Sequence, residues 1–212
     1  MNKVTRATDL AVLKSTATVN DVVEACKVAK EYECASLCVA PVHAQIVYNV
    51  HTSVVIGFPL GRSTPLQKLY ACMELAGQGI KEFDIVINYG SYIDGSNSKY
   101  IEKELAPIRK TLPDVVLKAI LETCYMTISQ ILRATRTCGD CGFDFVKTST
   151  GFASYGATLN AVDTMVTGAS YYDMQVKASG GIETYRDAVR YLDAGCTRIG
   201  TSKILLPENG EL

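Results

Sequence analysis

Histidine is scarce in this sequence: His43 and His51 are the only two among 212 residues. Cysteine is not scarce, at eight residues, but Cys138-Gly139-Asp140-Cys141 is the only Cys-x-x-Cys pair, and neither histidine is near it in sequence. A structural zinc site asks for a second such pair, or for histidines at matching spacing. The composition therefore offers no metal set. Cys26, Cys34, Cys38, Cys72 and Cys196 lie in apolar periodic segments, where free cysteine behaves as a small hydrophobe. The Cys138–Cys141 stretch reads as a solvent-side loop from helix to strand, with redox pairing as the alternative.

An excess of either charge is also missing. Lys and Arg number 21 against 22 Asp and Glu, for a net charge of −1, and no basic block occurs. That gives no support for binding nucleic acid or an anionic membrane surface. No apolar run approaches a membrane span, and Met1-Asn2-Lys3-Val4-Thr5-Arg6 lacks a signal-peptide core, so the expectation is a cytoplasmic protein. No Gly-x-Gly-x-x-Gly follows the first strand-like run and no Walker motif appears, which weakens a nucleotide-binding reading.

What is present is an alternation. Strand-like runs at about Ala7–Leu13, Ser36–Ala40, Ser53–Phe58, Phe83–Tyr89, Val115–Glu122, Phe143–Ser149, Met174–Ser179 and Arg198–Thr201 are separated by helix-like segments, with no linker. Eight such units favour a single-domain (β/α)8 TIM barrel over residues 1–212, with a doubly wound open sheet as the runner-up. Thr18, Ser63-Thr64-Pro65, Thr158 and Glu183-Thr184 read as helix starts. Gly77, Gly79, Gly142 and Gly195 read as helix exits. The tail Leu206-Pro207-Glu208-Asn209-Gly210-Glu211-Leu212 is polar after its start and is expected to be mobile.

Charges inside strands carry the most information, because alternate residues of a barrel strand face the lumen. Five stand out: Asp84, Lys118, Glu122, Lys147 and Lys177. Burial pushes a lysine toward its neutral form, and a neutral amine can condense with a carbonyl to give a Schiff base. Lys177 falls one βα unit after Lys147, and neighbouring parallel strands lie about 5 Å apart. Two inward lysines at that spacing disfavour each other's charge, leaving one as nucleophile and the other as cation. The alternative is that they face opposite sides, or that Lys147 reaches past the strand edge to water. Asp84 suits either proton transfer or ion pairing with a buried lysine. Lys118 and Glu122 share a strand face and read as a structural charge network, and Asp9 could add a carboxylate on the first strand.

Three turns rich in hydroxyls or glycine follow the last three strands: Thr148-Ser149-Thr150-Gly151, Ser179-Gly180-Gly181-Ile182 and Gly200-Thr201-Ser202. Each alone reads as an ordinary turn. Together they point to backbone N–H groups gathered around the phosphate of a small substrate.

These stretches, with Gly57-Phe58-Pro59-Leu60-Gly61, Asp84-Ile85-Val86-Ile87-Asn88 and Leu117-Lys118-Ala119-Ile120-Leu121-Glu122-Thr123, resemble the deoxyribose-phosphate aldolase family along nearly the full chain. The resemblance implies a TIM barrel that reversibly cleaves 2-deoxy-D-ribose 5-phosphate to D-glyceraldehyde 3-phosphate and acetaldehyde, without metal or other cofactor, as a homodimer or homotetramer. It implies that Lys147 forms the Schiff base, Lys177 sets its pKa and exchanges protons, and Asp84 acts with water as proton donor and acceptor. Gly151, Gly180, Gly181, Gly200 and Ser202 fall at the phosphate turns, and Cys38 where a lumen cysteine is common. Two positions depart from the pattern. Leu10-Ala11-Val12-Leu13 follows Asp9 where a threonine is usual, and Lys203 replaces a small hydroxyl residue. Lys203 would either strengthen phosphate attraction or face solvent.

Overall fold

The computed structural model describes residues 2–94 and 99–207. Its eight strands are β1 (Thr8–Val12), β2 (Ser36–Val39), β3 (Thr52–Ile56), β4 (Glu82–Val86), β5 (Val116–Ile120), β6 (Phe145–Lys147), β7 (Gln175–Ser179) and β8 (Arg198–Thr201). They pair in parallel in chain order and close β8 onto β1, giving the (β/α)8 barrel rather than an open sheet. Each strand coincides with a run expected from the sequence, although most end earlier. Gly57, at φ +67, stops β3 before Phe58. The expected mobility of the tail beyond Pro207 lies outside the described residues.

Helices α1 (Lys3–Arg6), α2 (Val19–Glu31), α3 (Pro65–Gly77), α4 (Tyr89–Ile93), α5 (Tyr100–Thr111), α6 (Ile128–Asp140), α7 (Leu159–Ala169) and α8 (Tyr185–Asp193) surround the barrel. Threonine side chains cap five of them: Thr18, Thr64, Thr127, Thr158 and Thr184 each accept a backbone N–H of the first turn. Such a cap contributes about 1 kcal/mol. Three are reciprocal boxes closed by Asp21, Gln67 and Gln130. Gly79, Gly142 and Gly195 adopt positive φ just beyond helices, as expected of exits, whereas Gly77 stays inside α3.

The helical segment between β2 and β3 is a 3-10 helix, Pro41–Ile46. One expectation is corrected. Cys138 and Cys141 are not in a solvent-side loop. Cys138 is in α6 and Cys141 caps it, both buried, and burial raises both thiol pKa values.

Period-two alternation divides the strand residues into two layers. Leu10, Leu37, Val54, Phe83, Ile85, Leu117, Val146, Val176 and Ile199 point outward into the apolar core beneath the helices. Asp9, Ser36, Ser53, Asp84, Lys118, Lys147 and Lys177 have the opposite parity and are buried in the lumen. The outer layer holds the fold together by apolar burial, which frees the lumen to carry charge.

Candidate active site

The register sets Lys147 of β6 directly beside Lys177 of β7, and Lys177 beside Arg198 of β8. On the other side of the lumen, Asp84 of β4 lies beside Lys118 of β5. Both Nζ atoms of Lys147 and Lys177 donate to one oxygen, Asp84 Oδ2, at 2.8 Å. The two amines therefore meet on one face, bridged by a carboxylate.

Beneath this triad lies a wider network. Lys118 Nζ is 2.9 Å from Asp9 Oδ2 and 3.0 Å from Asp84 Oδ1, and it also pairs with Glu82. Lys177 pairs with Asp9 as well as Asp84, and Arg198 pairs with Asp9. The Phe145 ring lies under two of the cations, 5.7 Å from Lys118 Nζ and 5.8 Å from the Arg198 guanidinium carbon. At the far end of the lumen, His51 Nε2 lies 2.7 Å from Glu82 Oε2. Asp9, Glu82 and Asp84 bring their oxygens within 4.8 Å of one another, close enough for a metal ion, but the ammonium groups and Arg198 already lie against these oxygens.

Four basic side chains thus share three carboxylates. Buried charges tolerate imbalance poorly, and the pKa values of the two bridged lysines move in opposite directions. Burial lowers the pKa of Lys147, Asp84 partly offsets this, and Lys177 lowers it further. Burial also opposes the charge on Lys177, but Asp84 and Asp9 together outweigh it and its pKa is raised. Lys118, facing three carboxylates against the same burial cost, is held well above the ordinary range. Burial works against ionisation of Asp84 and Asp9, yet the surrounding cations keep both pKa values below the usual carboxylate range.

A cavity of about 710 Å³ opens above the lysines. Lys147, Lys177 and Cys38 form its floor, and burial raises the Cys38 thiol pKa. Gly151, Gly180, Gly181, Gly200 and Ser202 form one wall, so the three glycine- and hydroxyl-bearing turns converge on the same space. Close packing sets their geometry. Gly180, at φ +81, lies against Gly156, and a Cβ on Gly200 would come within 3.1 Å of Lys177 Cε. Beside that wall, since β1 pairs with β8, Ala11 and Val12 of β1 and Leu13 just past it line the cavity with apolar side chains, and the nearest lining hydroxyl of this segment is on Thr16. Lys203 is half exposed and pairs with Glu183, itself at the rim of the cavity.

Not all the strand charges behave as expected. Glu122 does not join Lys118. It takes a left-handed conformation, φ 55 and ψ 61, and turns to Thr150. Three network members were missed among the strand charges: Glu82, Arg198 and, on the surface side, His51. Glu82 precedes the expected start of its strand by one residue, yet shares parity with Asp84. Arg198 opens its strand at the parity of Gly200. Extending the alternation by one residue would have found Glu82, and Arg198 already lay within its expected strand.

A family model described as DeoC/LacD family aldolase matches residues 3–202. A deoxyribose-phosphate aldolase of Thermoanaerobacter sp. is 38% identical over 203 residues, covering 92% of this chain and 90% of its own. One from Carboxydothermus hydrogenoformans is 39% identical over 209 residues, covering 94% and 91%. Among solved structures, "QR15, an Aldolase" superposes with a TM-score of 0.88 at 35% identity, covering 95% of this chain and 92% of its own. A tetrameric deoxyribose phosphate aldolase from Aeropyrum pernix gives 0.84 at 29% identity, covering 93% and 86%.

Proposed function

Since the chain belongs to the DeoC/LacD family of aldolases, we propose that it cleaves 2-deoxy-D-ribose 5-phosphate reversibly to D-glyceraldehyde 3-phosphate and acetaldehyde, through a Schiff base on Lys147. The observation that carries this reading is the pair of lysines sharing Asp84 Oδ2, with opposite pKa shifts. Lys147 is the amine whose surroundings favour the uncharged, nucleophilic form.

In this mechanism neutral Lys147 adds to the open-chain aldehyde to give a carbinolamine, whose hydroxyl takes up one proton from solvent water and leaves as water, giving a protonated imine. The imine accepts the electron pair of the breaking carbon–carbon bond and becomes a neutral enamine. The proton on the departing hydroxyl passes through water to Asp84. A carboxylate clamped by two ammonium groups and the protonated imine is a weak base, but the imine's charge disappears from the Lys147 nitrogen as the enamine forms. The proton affinity of Asp84 therefore rises at the step that needs it, and the lumen charge stays constant. Lys177 remains the cation that disfavours protonation of Lys147. Protonation of the enamine and hydrolysis then release acetaldehyde. Gly151, Gly180, Gly181, Gly200 and Ser202 hold the phosphate, remote from the breaking bond, so its binding energy serves orientation.

The reading extends to the setting of the enzyme. Residues 1–212 act as one barrel unit, assembled as a homodimer or homotetramer in the cytoplasm, in deoxyribose phosphate catabolism. Eight free cysteines suit a reducing compartment. The test is turnover of 2-deoxy-D-ribose 5-phosphate beside a panel of other sugar phosphates. The expected result is aldehyde release with the deoxy sugar preferred. Absence of turnover with it, or preference for a different sugar phosphate, overturns the assignment.

A further inference from the structure

Glu122 is a buried carboxyl, 1% exposed, that the mechanism above does not use. It stands just past the end of β5 at φ 55, a conformation that is uncommon for a non-glycine residue and costs on the order of 1 kcal/mol or more. Its two oxygens are spent on one residue. Thr150 N donates to Oε1 at 3.1 Å and to Oε2 at 3.3 Å, and Thr150 Oγ1 donates to Oε2. The same hydroxyl accepts the Phe152 N–H at 3.1 Å. Glu122 therefore fixes both ends of the turn that presents Gly151 to the cavity. The Phe152 ring, brought in by that turn, meets Phe58 of the β3–α3 loop edge-on, with centroids 5.2 Å apart. Next to it, the Thr123 N–H donates to Thr148 O at 3.0 Å, so the left-handed kink brings two successive residues of the β5 exit against the β6 exit.

We propose that Glu122 is a positioning residue for the anion-binding wall of the cavity: it acts through Thr150 to hold the Gly151 turn where a phosphate is received. The proposal rests on the sugar-phosphate reading above. The geometry also explains why a carboxylate stands here. One oxygen pair must accept two N–H contacts and one O–H donor from a single threonine, which an amide can do only in part because half of its polar head is a donor. The strain at Glu122 is offset by these bonds, and relaxing the residue to an extended conformation would carry the carboxyl away from the turn.

The test uses Glu122→Gln, Glu122→Ala, Thr150→Val and Thr150→Ser in the full chain, with KM and kcat measured on 2-deoxy-D-ribose 5-phosphate and on unphosphorylated 2-deoxyribose. Inorganic phosphate binding is titrated in parallel. Glu122→Ala and Thr150→Val should raise KM for the phosphorylated sugar at least tenfold. Their loss of kcat/KM on the unphosphorylated sugar should stay under threefold. Glu122→Gln should fall between, and Thr150→Ser, which restores the hydroxyl, should recover most of the loss. The double variant Glu122→Ala/Thr150→Val should be no worse than the poorer single one. Equal losses on both sugars, or an unchanged KM for the phosphorylated one, would overturn the proposal; so would Thr150→Ser behaving like Thr150→Val. If the wild-type protein turns over neither sugar, the functional reading fails on its own. The positioning role then stands if inorganic phosphate binding weakens tenfold in Glu122→Ala and Thr150→Val, and falls if it does not.

Discussion

Lys147 and Lys177 bear the same amine at the same depth, and what separates them is the number of carboxylates each touches. Lys147 has Asp84; Lys177 has Asp84 and Asp9. Burial opposes the charge on both, so one extra anion sets their pKa values apart, lowered for Lys147 and raised for Lys177. Replacing Lys147 with Ala should abolish borohydride-trapped adducts with acetaldehyde. It should also lower kcat on the order of 10⁴-fold or more; retention of either activity removes Lys147 from the nucleophile's role. Replacing Lys177 with Leu removes a cation that disfavours protonation of Lys147, so Lys147 keeps its proton to higher pH. The acid limb of the kcat/KM profile should move upward by about one pH unit or more, with activity at pH 7 falling at least about tenfold. A profile that keeps its wild-type midpoint would break the proposed coupling. The inward direction of both lysines could be read from strand parity and spacing. The part played by Asp9 could only be suspected, because partners on β1 and β7 meet across the lumen and no local sequence rule pairs them.

At the scale of elements, a second buried pair ties the site to its surroundings. Lys68 of α3 pairs with Glu104 of α5 and donates to Gly61 O at 2.9 Å and Val86 O at 2.5 Å. The other Glu104 oxygen accepts the Asn88 N–H at 3.0 Å. Two helices, the loop after β3 and the end of β4 are joined at one ion pair, just beyond the strand that carries Asp84. Lys68→Met or Glu104→Leu alone should destabilise the protein by about 3–5 kcal/mol, since each leaves a buried charge unpaired. The double variant should cost less than the sum, with a coupling of about 2 kcal/mol or more in denaturant unfolding. Additive losses would show that the pair does not act as a unit. This joint was invisible beforehand because both residues sit on helices, where Lys and Glu ordinarily mean a solvated face. The strands were more legible: each is a short apolar run bounded by turn residues. The misassignment of Glu122 marks where that legibility ends. Period-two alternation puts Glu122 on the face of Lys118, but the alternation lapses once the backbone enters the left-handed region beyond Ile120.

For the whole molecule, the charged lumen sets the response to acid. Asp9, Glu82 and Asp84 have pKa values below those of an unfolded chain, so they contribute stability that is complete above about pH 4 and is lost as the pH falls further. Three such groups allow a limiting slope of about 4 kcal/mol per pH unit. Glu104 and Glu122, raised by burial, act in the opposite sense and make the net slope shallower. Urea unfolding at steps from pH 6 to pH 3 should show stability dropping below pH 4. A flat profile there would mean that the lumen carboxylates do not differ between folded and unfolded protein. The barrel itself was legible from eight regular repeats of strand and helix. The 3-10 type of the segment between β2 and β3 was not, because Pro41 at a first-turn position is equally suited to an α-helix.

Asp9 is contributed by β1 and its guanidinium partner Arg198 by β8, the two strands at which the ring closes. A chain lacking β8 would hold the β1 carboxylate without Arg198. Competence to bind an aldehyde should therefore arrive only once β8 is in place and seals the ring. A chain lacking that strand would be left with an open seam between β7 and β1, and with Asp9 held by Lys118 and Lys177 alone, in place of a working catalyst.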